Sequence, residues 1–224
     1  MGLIKKAFFT GVAGTAGVVG YLGATTTVIC PLPSDDPVFR SESYAKYNIH
    51  RNASTQDIIY KRIPLSKIRP ELLKNEGDLA VEFCRGVWGG LGTRPQRAYL
   101  ARKYQSRATS SQLWTAEQLD TSTYEPGTQL IDHFEVIGKT PTEIVLRAGD
   151  SPRNGGPRDS DGLFIISSVI DEARNEVVLG LKTCFFTSAR KVEGIHGPMP
   201  TWMEGLHRWY ARYWMATGSW RVTK

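Results

Sequence analysis

The chain has 224 residues, 41% of them hydrophobic and 22% charged, with a formal net charge of +6; this length suits one domain with a sizeable core and crowds two. The basic excess is spread out, densest at Arg94, Arg97, Arg102, Lys103 and Arg107, and no aromatic-basic module accompanies it, which argues against a nucleic-acid partner. Cys30, Cys84 and Cys184 are odd in number and form no C-x-x-C or Cys/His pattern, and His50, His133, His196 and His207 are scattered, so neither a disulfide framework nor a metal site is indicated.

Residues 1–6 are short and basic, and residues 7–30 then run for 24 positions without a charge, a length that can cross a bilayer. Gly11, Gly14, Gly17, Gly20 and Gly23 lower its helix propensity and leave a smooth strip for packing against another helix. Three readings stay open: a membrane anchor, a cleaved signal peptide, or a tail docked on the domain. No small-x-small cleavage site follows, which disfavours the signal peptide. As an anchor, with Lys5 and Lys6 before it and Asp35 and Asp36 after it, it leaves the N-terminus cytosolic and the sequon Asn52-Ala53-Ser54 lumenal. The expected location is therefore an endomembrane, through a single anchor, or the cytoplasm. The myristoylation pattern fails at position 6.

Residues 31–55, rich in Pro, Ser, Asp and Tyr, read as a linker or a strap over the domain, and 56–218 as the domain itself. Residues 56–63 have strand character, ended by Pro64. Pro70 opens a helical turn, and Asp78 caps a helix with Leu79, Phe83 and Val87 on one face. The run Trp88-Gly89-Gly90-Leu91-Gly92 breaks that helix without phosphate-loop spacing. Pro95 starts another helix, to about Tyr104. Four strands follow, over 128–137, 143–150, 162–170 and 175–189. Taken as one strand, 128–137 puts Leu130, Asp132, Phe134 and Val136 on one face and His133 on the other. The last two strands are apolar on both faces, as in a sheet covered on both sides or wrapped around a cavity. Residues 150–161 form a long polar connection. From Pro198 to Gly218 a helix carries Trp202, Leu206, Trp209 and Tyr213 at i, i+4, i+7 and i+11, a pattern that reads as its core face and as aromatic wall for a ligand.

The stretches DIIYKRIPLSKIRPELL, GDLAVEFCRGVWGGLG, GTQLIDHFEVIGKTPTEIVLRAGDSPRN, SDGLFIISSVID and PMPTWMEGLHRWY resemble the START-like, or helix-grip, superfamily, and within it a family of fungal proteins, some encoded in biosynthetic gene clusters. The resemblance covers roughly 30–217 and implies an α+β fold, an antiparallel sheet wrapped around a long C-terminal helix, with an N-terminal apolar helix. It implies cyclisation or release of a polyketide, as in pyrone formation of the aurovertin type, without a cofactor, and a polyketide synthase as a partner. It brings no catalytic motif, so the site rests on local chemistry.

Closing a ring on a poly-β-keto chain requires a base, donors for the developing oxyanion and a dry pocket. Asp132 and His133 are the rival bases, and Lys182, Arg147 and Arg153 the cations, with Asp150 orienting an arginine. Arg85, Trp88, Trp202 and Trp209 complete the expected pocket. Against this stand plain salt bridges from Asp132 or Asp150 to Arg or Lys. The alternative function is a membrane-tethered carrier of an apolar ligand that catalyses nothing.

Overall fold

The structure, a computed structural model, describes residues 17–224. Residues 17–25 are helical (α1), Thr27–Ile29 form β1, and a short helix α2 (Glu42–Tyr47) leads to β2 (Thr55–Pro64). After a 3₁₀ turn at Pro70–Leu73 come α3 (Asp78–Gly89), α4 (Arg94–Tyr104) and α5 (Ala116–Thr121). Strands β3 (Gln129–Leu130), β4 (Phe134–Lys139), β5 (Glu143–Gly149), β6 (Asp161–Asp171) and β7 (Glu176–Phe186) precede α6 (Thr201–Ser219). The protein is thus α+β: a seven-stranded antiparallel sheet, ordered β1-β2-β7-β6-β5-β4-β3, with the C-terminal helix packed against it. That arrangement is consistent with a helix grip.

The meander from β3 to β7 needs only local turns, whereas β2 must cross over to pair with β7 over Thr55↔Phe185 to Pro64↔Glu176. Alternation then assigns the faces. Ile144, Leu146, Phe164, Ile166, Val177, Leu179 and Leu181 join Phe83, Val87, Trp88, Trp214 and Met215 of α3 and α6 in the main core. On the opposite face Leu163, Ile165 and Cys184 pack against Leu32, Val38, Phe39, Tyr44 and Tyr47. Residues 31–55 are therefore the strap that lets β6 and β7 be apolar on both faces. Ser41 accepts a hydrogen bond from the Tyr44 backbone N–H to start α2, and Asp36 pairs with Lys182 at 2.6 Å to hold the strap down.

Helices α3 and α6 cross at two glycines. A Cβ on Gly86 would overlap the Gly218 carbonyl oxygen, and one on Gly218 would come within 2.9 Å of Val87 Cγ2. Gly77, at φ 89°, supplies the left-handed turn before α3. Cys84 and Cys184 are buried as small apolar groups, and Cys30 is exposed.

Several expectations change. The run 128–137 is not one strand, because Ile131 (φ 42°) and Asp132 (φ 64°) both turn left-handed between β3 and β4. The aromatic stripe of α6 is not its core face: Trp202, Leu206 and Trp209 are 66%, 61% and 43% exposed. The parallel row His207, Ala211, Trp214, Gly218 faces inward instead, because Ala211 and Gly218 let the helix approach closely. The sequon side chain is buried, Asn52 Nδ2 donating to the Thr187 and Arg190 carbonyls at 2.7 Å. Part of the charge-free run, 7–16, lies outside the described residues; its end does not continue as helix but pairs as β1 with β2. Among the described residues no helix is long and apolar enough to cross a membrane.

Candidate functional site

Between α4, α6 and the sheet lies a cavity of about 90 Å³. Its walls are aromatic: Phe134, Phe164, Phe185, Tyr210 and Trp214, with Trp88 packed behind them, its ring 4.6 Å from Phe134 and 5.4 Å from Trp214 between centroids. The polar contributions come from Thr183 on β7 and His207 on α6, with Gln96 of α4 at the side.

Register explains the polar group. Asp57 on β2 is the direct partner of Thr183 on β7, so their side chains meet on the helix-facing side. The Thr183 hydroxyl donates to Asp57 Oδ1 at 2.8 Å. His207 Nε2 lies 3.3 Å from the same hydroxyl oxygen and 3.7 Å from Asp57 Oδ1. Because the Thr183 proton is engaged with Asp57, its oxygen is left to accept from Nε2–H. That tautomer, inferred from the hydrogen-bond pattern, makes His207 Nδ1 the lone-pair nitrogen.

Asp57 is 0% exposed, and its Oδ2 has no hydrogen-bond partner among the described residues. A buried carboxylate oxygen left unpaired costs stability, so such an atom is informative. The Tyr210 hydroxyl and the Trp214 indole N–H are also buried without a well-aligned partner. Burial raises the Tyr210 phenol above its ordinary value, against the opposing pull of the adjacent Trp214 N–H. It therefore stays a neutral donor near pH 7. An imidazole with its orienting pair and the Tyr210 hydroxyl, backed by the Trp214 N–H, thus belong to the residues around one apolar space.

The residues expected from sequence fall elsewhere, in three groups. Asp132 and His133 are together despite their opposite parity, Oδ2 to Nδ1 at 3.3 Å, because the left-handed turn swings both to one side. Ser151 donates to Asp132 Oδ1 at 2.9 Å, Arg153 Nη2 approaches at 3.5 Å, and His133 lies against Tyr104. Neither Asp132 nor His133 lines the helix–sheet cavity.

Arg147 and Lys182 face the strap, on the far side of the sheet. Arg147 binds Asp161 through Nε at 2.8 Å and Nη2 at 2.6 Å, and stacks on Tyr47 with its guanidinium carbon 4.3 Å from the ring centroid. Burial works against the Arg147 charge, but the Asp161 hydrogen bonds outweigh it and hold the guanidinium above its ordinary value. Arg147 also borders a second cavity, about 190 Å³, with Lys46, Tyr47 and Ser188. Lys182 is occupied by Asp36. Asp150 orients no arginine through its carboxylate: its Oδ2 accepts from the Ser160 N–H, while its main-chain carbonyl accepts from the buried Arg158.

Arg85 pairs with Glu82 at 3.2 Å and donates to the Ser122 carbonyl. Trp88 is fully buried core, while Trp202 and Trp209 face outward, so none of the three lines the cavity. Among the described residues no group of three or more metal-ligating side chains occurs.

Asp57, Thr183 and His207 are not a group in the sequence, because the cluster depends on a pairing between residues 126 positions apart. The local signal is weak: Asp57 shares its strand face with Ile59 and Ile63 of the core but also with Lys61, which reaches Ser219 at the end of α6. No protein-family model, no curated protein and no solved structure matches the chain.

Proposed function

We propose that this protein is a cofactor-free cyclase- or hydrolase-like enzyme acting on a hydrophobic small molecule, with His207 as general base. The observation that supports it is the Asp57–Thr183–His207 array beside an aromatic cavity, with Asp57 Oδ2 unpaired and fully buried. The polyketide substrate class comes from the resemblance of residues 30–217 to the helix-grip cyclases. A space of about 90 Å³ takes a reacting group and not a whole chain, so the remainder of a long substrate lies outside it, along α4 and α6.

For a 3,5-diketo thioester the steps balance without a co-reactant. His207 Nδ1 removes the proton of the C5 enol, whose oxygen attacks the thioester carbonyl. The Tyr210 O–H, backed by the Trp214 N–H, holds the oxyanion. The C–S bond then breaks, and the thiolate takes the proton back from His207, leaving a 4-hydroxy-2-pyrone and a free thiol. Asp57 and Thr183 fix the imidazole orientation and stabilise the charge that it gains.

The test is pyrone release from a synthetic 3,5-diketo thioester by the full chain. His207→Ala should lower kcat by about a hundredfold or more, the usual contribution of a general base. Asp57→Asn should lower kcat with little change in KM. Turnover unchanged in His207→Ala overturns the proposal. Binding without any turnover in the wild type supports the other function, a carrier of an apolar ligand, for which the aromatic walls alone suffice.

A further inference from the structure

Helix α6 has two apolar faces, and only one is used by the core. The inward row, with His207, Ala211 and Trp214, borders the cavity. The outward row consists of Trp202, Met203, Leu206 and Trp209, 66%, 40%, 61% and 43% exposed. Trp202, Leu206 and Trp209 stand at i, i+4 and i+7, so they form one strip about 10 Å long. Two tryptophans and a leucine this exposed on a single helix face call for a covering partner.

Three observations identify the kind of partner. First, cations accompany the strip: from Ser188 to Tyr213 the chain carries Arg190, Lys191, Arg208 and Arg212 against Glu193 and Glu204, an excess of one positive charge once Asp159, the partner of Arg190, is counted, and Arg212 stacks on Trp209 with its guanidinium carbon 5.2 Å from the ring centroid. Second, α1 is tied to the same helix. Arg212 donates to the carbonyls of Leu22 and Thr26, and Arg208 contacts Cys30 Sγ. Val18, Val19 and Tyr21 of α1 are in turn 52%, 42% and 46% exposed. Third, the residues that lead into α1 carry no charge from position 7, and Lys5 and Lys6 precede them. Tryptophan beside leucine with arginine at the margin is the composition of an element that lies in a lipid–water interface.

We infer that the outer face of α6, continued by α1, is a docking surface for an anionic lipid bilayer. The strip enters the headgroup–acyl boundary, and Lys191, Arg208 and Arg212 remain at the phosphate level. A helix is about 10–12 Å across, so this contact brings the cavity on its other face close to the acyl region. An apolar ligand then reaches the cavity without crossing bulk water. The inference stands on the outer face of α6 alone and does not depend on the chemistry proposed for His207.

The experiment is flotation of the full chain with vesicles, either phosphatidylcholine alone or phosphatidylcholine mixed with phosphatidylserine. Wild type should float with the mixed vesicles, with a blue-shifted tryptophan emission, and much less with the neutral ones. Leu206→Ser and Trp209→Ser should each lower partition about tenfold, as expected when the burial of a large apolar side chain is lost. Leu206 is 61% exposed, so thermal unfolding of Leu206→Ser measured without vesicles should stay as in the wild type.

Failure of the wild type to float overturns the inference, as does full flotation of a variant that combines Leu206→Ser with Trp209→Ser. Equal partition into neutral vesicles overturns the role given to the cations. A dimer that dissociates in the same variants, without any vesicle binding, assigns the strip to a second copy of the chain instead.

Discussion

Replacing Arg147 by Ala tests whether the strap-side cations serve chemistry or the fold. Asp161 is fully buried; it receives two hydrogen bonds from Arg147, one from the Ser188 hydroxyl at 2.6 Å and one from the Gly162 N–H at 3.0 Å. Removing the guanidinium strands a carboxylate inside the protein, a change that costs roughly 3–5 kcal/mol. Ser188 and Gly162 still solvate Asp161, so the lower end, about 3 kcal/mol, is expected. For a chain of this size that corresponds to a fall in Tm of about 6–12 °C.

Urea and thermal denaturation followed by circular dichroism measure the loss, and pyrone release at a temperature well below both midpoints measures activity. Arg147→Lys should recover only part of the stability, because an ammonium cannot donate in a bidentate fork. The double variant Arg147→Met/Asp161→Leu should recover most of it, since no charge is left stranded. A loss below about 1 kcal/mol in Arg147→Ala, accompanied by a collapse in turnover, refutes the reasoning and returns Arg147 to the chemistry.

Two further outcomes follow from packing and burial. Gly86→Ala should destabilise by about 3 kcal/mol in urea titrations, because its methyl group meets the Gly218 backbone and not a mobile side chain; a neutral effect would mean that α3 and α6 separate easily. Burial pushes the Cys184 thiol from 9.0 up to about 12, so the folded state keeps a proton there that the unfolded chain loses above pH 9. The Cys184 contribution should therefore be intact below pH 9 and decline by about 1.4 kcal/mol per pH unit between 9 and 12, added to that of buried Cys84, whose thiol is raised for the same reason; Cys184→Ala should reduce the slope between denaturation curves taken at pH 8.5 and 10.5, and an unchanged slope refutes the assignment.

Elements with strong local signals were legible before the fold was known. Residues 56–63 alternate and end at a proline, and they form β2; Asp78 opens α3; the two-sided apolar runs near 162–170 and 175–189 are β6 and β7. The strap was legible from composition, though not what it covers. Where sequence failed, the cause was a choice between near-equal patterns or a contact across long separations. Two left-handed residues at 131 and 132 cancel a parity that spans them, and no propensity rule flags Ile131 as one of the pair.

The α6 stripe shows the same limit. Both Trp202-Leu206-Trp209 and His207-Ala211-Trp214 repeat at the helical period, and hydrophobicity favours the first. Close approach to α3, which requires small residues at the crossing, decides for the second. By itself, then, the sequence determined an α+β chain with a strand-rich centre, a covered sheet and a final amphipathic helix, because those properties depend on local periodicity and composition. Only the tertiary structure decided which face of that helix is inside, that Arg147 and Lys182 secure the strap side, and that Asp57, Thr183 and His207 meet at one cavity. Those outcomes depend on strand register and on side-chain volume where helices cross, and neither is written in any short stretch of the chain.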